Sequence, residues 1–137
     1  ALARSYRATM QRLMHAAAPG PGGAARTLLV KTVLIPNRLD TVREAFPDAR
    51  FVRVVRDPRQ AIPSATSLFY ATWNGHSPEI ARNDPETRGV TAMFLEHYRR
   101  LCRFADGAPP EQCLTVYFED MVREPLREIE RIYAFLG

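Results

Sequence analysis

Lysine is almost missing from this sequence. Lys31 is the only one among 19 cationic side chains, so nearly all the positive charge is arginine. Genomic base composition accounts for that bias at least as well as function does. No apolar run approaches the roughly 18–20 residues that a membrane-spanning helix needs, so this portion is expected to hold no membrane segment. There is no basic arm with interleaved aromatics; the arginines are spread along the whole chain, and nucleic acid is not the expected partner. Cys102 and Cys113 make neither C-x-x-C nor a metal-ligand spacing. A reduced, mostly buried pair and no bound metal are the expectation. The opening stretch A-L-A-R-S-Y-R is charged and then amphipathic, unlike a signal peptide. The chain begins at Ala1 without a Met and stops at Gly137 straight after a helical pattern, and it reads as an excerpt of a longer protein. A missing targeting segment then says little about location, with the cytoplasm favoured.

What is present fits one domain with a real core: 137 residues, 46% hydrophobic and 25% charged. The net charge of +4 favours an anionic partner without choosing which. Leu2, Tyr6, Met10, Leu13, Met14 and Ala17 recur at helical spacing, and P-G-P-G-G at 19–23 breaks that helix. Thr27 to Val30 reads as a short buried strand ending at Lys31. Leu39, Val42, Ala45 and Phe46 give a short helix stopped before Pro47. Phe51 to Val55 is the clearest strand. Asp57-Pro58 opens the next helix, with Asp57 as N-cap, Pro58 at the first helical position and Gln60 where a capping box wants Glu or Gln. Pro63 should kink it.

Residues 73–88 read as a polar loop. Val90, Met93, Phe94, His97, Leu101 and Phe104 define a long amphipathic helix, Leu114 to Phe118 a third strand, and the last helix from near Pro125 is expected to bury Leu126, Ile129, Ile132, Tyr133 and Leu136. The order α-β-α-β-α-α-β-α predicts an α/β fold, a parallel sheet flanked by helices. In such sheets ligands bind at the carboxyl ends of the strands.

That rule points to V-V-R-D-P-R-Q-A-I-P-S. Arg56 stands at a strand end beside a helix start, where unpaired backbone N–H groups, the helix dipole and a guanidinium suit a phosphate. Ser64, eight positions on, is placed to face the same anion. The residues alone leave the plainer reading equally open, with Asp57 a cap and Arg56 a surface residue.

The stretch F-P-D-A-R-F-V-R-V-V-R-D-P-R-Q-A-I-P-S, 46–64, resembles the 3′-phosphate-binding segment of PAPS-dependent sulfotransferases, and more the bacterial-type branch than the cytosolic animal enzymes. V-Y-F-E-D-M-V-R-E-P-L-R-E-I-E-R-I-Y-A-F-L-G, 116–137, resembles the family's Y-E-D-L…P…I…F-L-G segment, and L-L-V-K-T-V-L-I-P, 28–36, the segment that cytosolic members write K-T-H-L-P. All three stand in the family's order. The resemblance implies a partial sulfotransferase domain over 1–137 with a P-loop NTPase-like fold, central and C-terminal in the whole. It implies that Arg56 and Ser64 hold the 3′-phosphate of PAPS, and that Phe118 stands where many members have a Tyr near the adenine. The implied function is sulfuryl transfer from PAPS, leaving PAP, to a hydroxyl or amine on a small-molecule, glycan or lipid acceptor, with no metal.

The departures are as informative. No G-x-x-x-x-G-K-[ST] run is present, and G-P-G-G at 20–23 is no substitute. The resemblance places the phosphosulfate loop upstream and a further phosphate-contacting segment after the F-L-G helix. The isolated chain is therefore expected to be inactive. Val33 stands where the cytosolic branch has its catalytic His, so the base is unnamed. Lys31, at a strand mouth, and His76, in a polar loop, are weak candidates for catalysis, each with a solvated side chain as the plainer reading. Glu119 and Asp120 read as structural, capping or pairing with an Arg such as Arg123. Tyr70 and Trp73 are open between lining an acceptor pocket and closing the core. The main alternative function is a catalytically inactive sulfotransferase-like module that binds nucleotide or a partner. A phosphate- or nucleic-acid-binding α/β protein outside the family is a further alternative, and so is a kinase of related fold.

Overall fold

The computed structural model describes residues 2–17, 27–31 and 37–137. They fall into two compact units, Ala1–Ala49 and Arg50–Gly137. The Pro/Gly stretch at 19–23 and Val33 lie outside the described residues.

In the first unit α1 (Leu2–Ala16) packs on α2 (Leu39–Ala45). Leu39, Val42 and Ala45 are buried at the spacing of one helix face, and Tyr6 meets Phe46 edge-on at 6.0 Å between centroids. Only part of the expected stripe on α1 is covered: Leu2, Leu13 and Met14 stay exposed. Helix lengths explain this, because seven residues of α2 span about 10 Å and cannot cover fifteen residues spanning about 22 Å. The strand expected at Thr27–Val30 does not form. A strand needs a ladder partner, and these residues pair with none of the described strands; Leu29 is 82% exposed.

The second unit is built on two strands, β1 (Phe51–Val55) and β2 (Cys113–Tyr117). They pair in parallel, from Phe51 opposite Cys113 to Val55 opposite Tyr117. A parallel pair needs a long crossover. Here it contains α3 (Pro58–Asn74) and α4 (Pro85–Gly107). The α/β class and the parallel pairing are therefore as the order of elements predicts, with two strands among the described residues.

The helix α4 places its whole predicted stripe inward. Val90 and His97 are buried, while Met93, Phe94, Leu101 and Phe104 are half-buried. Phe104 packs edge-on against Phe51 at 4.9 Å, and Arg53 Nη1 donates to the Leu101 carbonyl at 3.1 Å, tying β1 to α4. α3 joins α4 through Phe69 against Phe94 at 5.3 Å. α3 runs through Pro63, which has no N–H to give the carbonyl one turn back. It also extends to Asn74, and α4 begins at Pro85, so the expected 73–88 loop is shorter at both ends.

After β2 the chain turns at once into α5 (Phe118–Arg123) and then α6 (Pro125–Leu136). Phe118 is thus the first residue of a helix and not the last of a strand. The apolar face of α6 also differs from expectation. Ile132 and Leu136 are half-buried, but Leu126 and Tyr133 are 77% and 71% exposed, and Ile129 is exposed too. The residue buried most on this helix is Glu128, 3% exposed. α6 turns toward β2 the edge carrying Glu128, Arg131, Ile132 and Phe135, because Arg131 Nη2 donates to the Thr115 carbonyl and Arg50 Nη1 to that of Phe135. Val116 has no exposed surface, whereas Val54, directly opposite it in register, is 60% exposed. Cover on that sheet face therefore lies over β2.

Candidate functional site

Parallel strands in register end together. Val55 stands opposite Tyr117, so the next residues, Arg56 and Phe118, leave the sheet side by side at its carboxyl edge. The Arg56 guanidinium lies over the Phe118 ring, 5.0 Å from its centroid, a cation–π contact. Its Nη2 donates to Gln60 Oε1 at 3.2 Å. Arg56 enters no ion pair among the described residues. Two carboxylates are close in sequence and register, Asp57 and Glu119, and both are engaged elsewhere.

Asp57 caps α3, as its position predicts. Its Oδ1 accepts from Arg59 N–H at 2.9 Å, and the Arg59 guanidinium closes on Oδ2 at 2.9 Å. The capping box is completed differently from expectation. Gln60 does not reach back to the Asp57 N–H; Glu119 Oε1 accepts that proton at 3.1 Å from the end of the neighbouring strand. Gln60 is thereby free to hold Arg56. Glu119 has the structural role its context suggests, and Asp120 pairs with Arg123 at 3.3 Å.

The capping also revises the expected anion cradle. Arg59 N–H is taken by the Asp57 carboxylate, and Gln60 N–H and Ala61 N–H both go to the Asp57 carbonyl. The first amides of α3 are therefore committed, and an anion here would meet the helix dipole, the guanidinium edge and side-chain hydroxyls.

Ser64 supplies such a hydroxyl. It is exposed and stands four residues beyond Gln60, so the two share one face of α3. Gln60 turns Arg56 toward that face. The structure thus brings Arg56 and Phe118 into contact, and Ser64 shares a helix face with Gln60, which holds Arg56. Lys31 is exposed and belongs to the first unit. His76 is exposed just past α3. Trp73 meets Phe69 edge-on at 6.1 Å and so extends the aromatic packing of α3, whereas Tyr70 is covered by Arg82, 5.5 Å from its centroid.

Sequence reasoning missed Gln60's hold on Arg56 and the identity of Glu119's partner, the Asp57 N–H. The available signal was the strand register: once 55 is opposite 117, residue 57 must neighbour 119.

The Arg59 side chain and backbone N–H, hydrogen-bonded to Asp57, hold its carboxyl below the ordinary value. A depressed carboxyl pKa stabilises the fold above the unfolded value of about 4, and the contribution is lost as pH falls through the folded value. Asp57→Ala should lower the thermal midpoint near neutrality and flatten its fall on acidification below about pH 4. Melting curves over an acid series check both.

With this geometry in place, comparison with known proteins decides the lineage. The profile described as the Sulfotransferase family matches residues 1–137. The chain belongs to that family. Among curated relatives, the omega-hydroxy-beta-dihydromenaquinone-9 sulfotransferase of Mycobacterium bovis is 29% identical over 112 residues, covering 78% of this chain and 29% of the relative. A putative protein-tyrosine sulfotransferase of Caenorhabditis elegans is 28% identical over 98 residues, 72% of this chain and 35% of the relative. Carbohydrate sulfotransferase 6 of Homo sapiens is 34% identical over 98 residues, 64% of this chain and 25% of the relative. This sulfotransferase chain therefore spans between a quarter and about a third of these relatives' lengths. No solved structure matches. Among the described residues no helix is long and apolar enough to cross a membrane, and no cluster of His, Cys, Asp or Glu is placed to hold a metal ion.

Proposed function

We propose that this chain is the central and C-terminal part of a PAPS-dependent sulfotransferase domain, of P-loop NTPase-like fold, and supplies the grip on the donor's 3′-phosphate. The observation that carries the reading is Arg56. It sits at the carboxyl edge of a parallel sheet, steadied by a neutral amide and an aromatic face, with no carboxylate partner among the described residues. An arginine oriented this way keeps donor N–H groups for an oxyanion. Ser64 adds a hydroxyl from the same helix face, and Phe118 offers its ring to the adenine.

In the reaction, the bond between sulfur and the bridging phosphate oxygen of PAPS breaks. A bond forms from sulfur to the acceptor oxygen or nitrogen, the acceptor's proton passes to a base, and PAP leaves. Such transfers need positioning and charge stabilisation more than covalent help from the protein. Arg56 and Ser64 are binding residues in this scheme. Lys31 and His76 are the candidates in this chain for contact with the sulfuryl group or the acceptor. The relatives act, by their names, on an omega-hydroxylated dihydromenaquinone, protein tyrosine and carbohydrate. A hydroxyl acceptor fits all three. A cytoplasmic location is part of the proposal. Val33, at the position of the cytosolic branch's catalytic His, is the observation favouring a second reading, a module that binds nucleotide without transferring sulfate.

Titration calorimetry with PAP and with 5′-AMP tests the donor site, since the two differ only in the 3′-phosphate. PAP should bind at least tenfold more tightly. Equal affinities in a chain shown to be folded by circular dichroism would refute the assignment.

A further inference from the structure

Two acceptors compete for one proton at the start of α3. Asp57 is the N-cap and Gln60 the third residue after it, the position from which a capping box returns a side chain to the N-cap N–H. That N–H is already taken. Glu119 Oε1 accepts it at 3.1 Å, carried there by the parallel register that sets Val55 opposite Tyr117. Gln60 Oε1 accepts instead from Arg56 Nη2 at 3.2 Å. The local bond to Asp57 is the easier of the two for Gln60 to make, because a backbone N–H at the end of a strand is fixed in place. Holding a guanidinium requires ordering a long side chain as well. With the Asp57 N–H vacant, Gln60 turns to it and lets Arg56 go.

We propose that Glu119 is a positioning residue for Arg56 and acts through Gln60. By occupying the Asp57 N–H it keeps Gln60 off the capping box and on the guanidinium, which rests over Phe118 at 5.0 Å. The partner so chosen is a neutral amide, which orients the arginine without cancelling its charge. The end of β2 thus contributes twice, Phe118 as the surface under the guanidinium and Glu119 as the group that releases Gln60 to hold it. That the oriented arginine reads a 3′-phosphate rests on the proposed function above; the competition for Gln60 stands on the hydrogen bonds alone.

Charge and position predict opposite signs for Glu119→Ala. Glu119 follows Phe118 directly, so by charge alone its removal takes a carboxylate from beside an anion site and favours the extra phosphate of PAP. Loss of positioning lowers the preference for PAP over 5′-AMP instead.

The test uses the 137-residue chain, calorimetry with PAP and 5′-AMP, and amide hydrogen exchange at Asp57. Gln60 and Glu119 are both exposed, so substitutions there should leave the fold intact, as circular dichroism checks. Glu119→Ala should reduce the PAP preference about fivefold, the size of one lost hydrogen bond. Gln60→Ala should do the same, and the double variant no more than either, since both remove one hold on Arg56. Glu119→Gln keeps the acceptor oxygen and should keep the preference. At Asp57, exchange should stay as slow in Glu119→Ala as in the parent, because Gln60 takes over the bond, and should quicken severalfold only in the double variant. Three results each overturn the assignment: an unchanged or higher PAP preference in Glu119→Ala, additive losses in the double variant, or fast Asp57 exchange in Glu119→Ala alone. If the parent shows no preference for PAP, the donor-site reading falls and Asp57 exchange decides by itself. Slow exchange in Glu119→Ala and fast exchange in the double variant then uphold the competition, and any other pattern overturns it.

Discussion

Arg56→Ala should cost the chain about 10- to 150-fold in PAP affinity and leave 5′-AMP affinity nearly unchanged. The magnitude follows from a lost hydrogen-bonded charge contact, about 1.5–3 kcal/mol. The selectivity follows from position: the guanidinium is held over Phe118 and against Gln60 at the sheet's carboxyl edge. Arg56→Lys should recover only part of the loss, because an ammonium keeps the charge but not the planar fork. Arg59→Ala is the matching control. Its side chain is 89% exposed and its guanidinium is turned onto Asp57, so its removal should move PAP affinity by far less than Arg56→Ala. An equal loss in both variants would mean that nonspecific positive charge attracts the nucleotide, and a loss shared by PAP and 5′-AMP would mean that Arg56 does not read the 3′-phosphate. Calorimetry on the three variants and the parent chain separates these outcomes.

The arrangement around Arg56 was legible because its parts are local. A β-branched strand, an Asp-Pro helix start and a hydroxyl on the next two turns are all visible within residues 51–64. The stripe on α4 was legible for the same reason, since 3.6-residue periodicity over 23 residues leaves little choice of face. What the sequence hid depends on partners distant in the chain. Thr27–Val30 has the composition of a strand but finds no ladder among the described residues. Gln60 has the position of a capping-box residue, yet Glu119, 62 residues away from Asp57, takes the bond. On α6 the apolar pattern is wide enough for two orientations. Leu126 and Tyr133 lie at one edge of it and Ile132 and Phe135 at the other, and periodicity cannot say which edge meets the sheet. The arginine contacts to Thr115 and from Arg50 decide it. Local chemistry therefore placed Arg56 at the sheet's carboxyl edge and Ser64 on the helix that follows, and tertiary hydrogen bonds set the orientation of what surrounds them.

Those same hydrogen bonds make Arg131→Ala a substitution expected to destabilise this chain, by about 1–3 kcal/mol, because Glu128 is buried while the Arg131 side chain is 43% exposed and the pair is partly screened. Glu128 is 3% exposed and lies on a helix face turned to the sheet. Its Oε2 is paired with Arg131 Nη1, while Arg131 Nη2 holds the Thr115 carbonyl of β2. Removing the arginine strands a buried carboxylate and frees a strand carbonyl at once. Removing both charges is a different matter. Glu128→Leu with Arg131→Leu replaces the pair by apolar bulk, and should recover most of the loss, since an ion pair with a buried member often does no better than a well-packed apolar pair. Urea unfolding of the parent, the single variant and the double variant measures this directly. A cost below about 1 kcal/mol for Arg131→Ala would mean that Glu128 is hydrated after all and that the pair behaves like the exposed ones on α4. A double variant as weak as the single one would place the importance of Arg131 in its bond to Thr115 and not in neutralising Glu128. Either way the effect should stay separable from the proposed donor site. Arg131 contacts the middle of β2, whereas Arg56 and Phe118 lie beyond its carboxyl end, so folded Arg131→Ala protein should retain its preference for PAP over 5′-AMP.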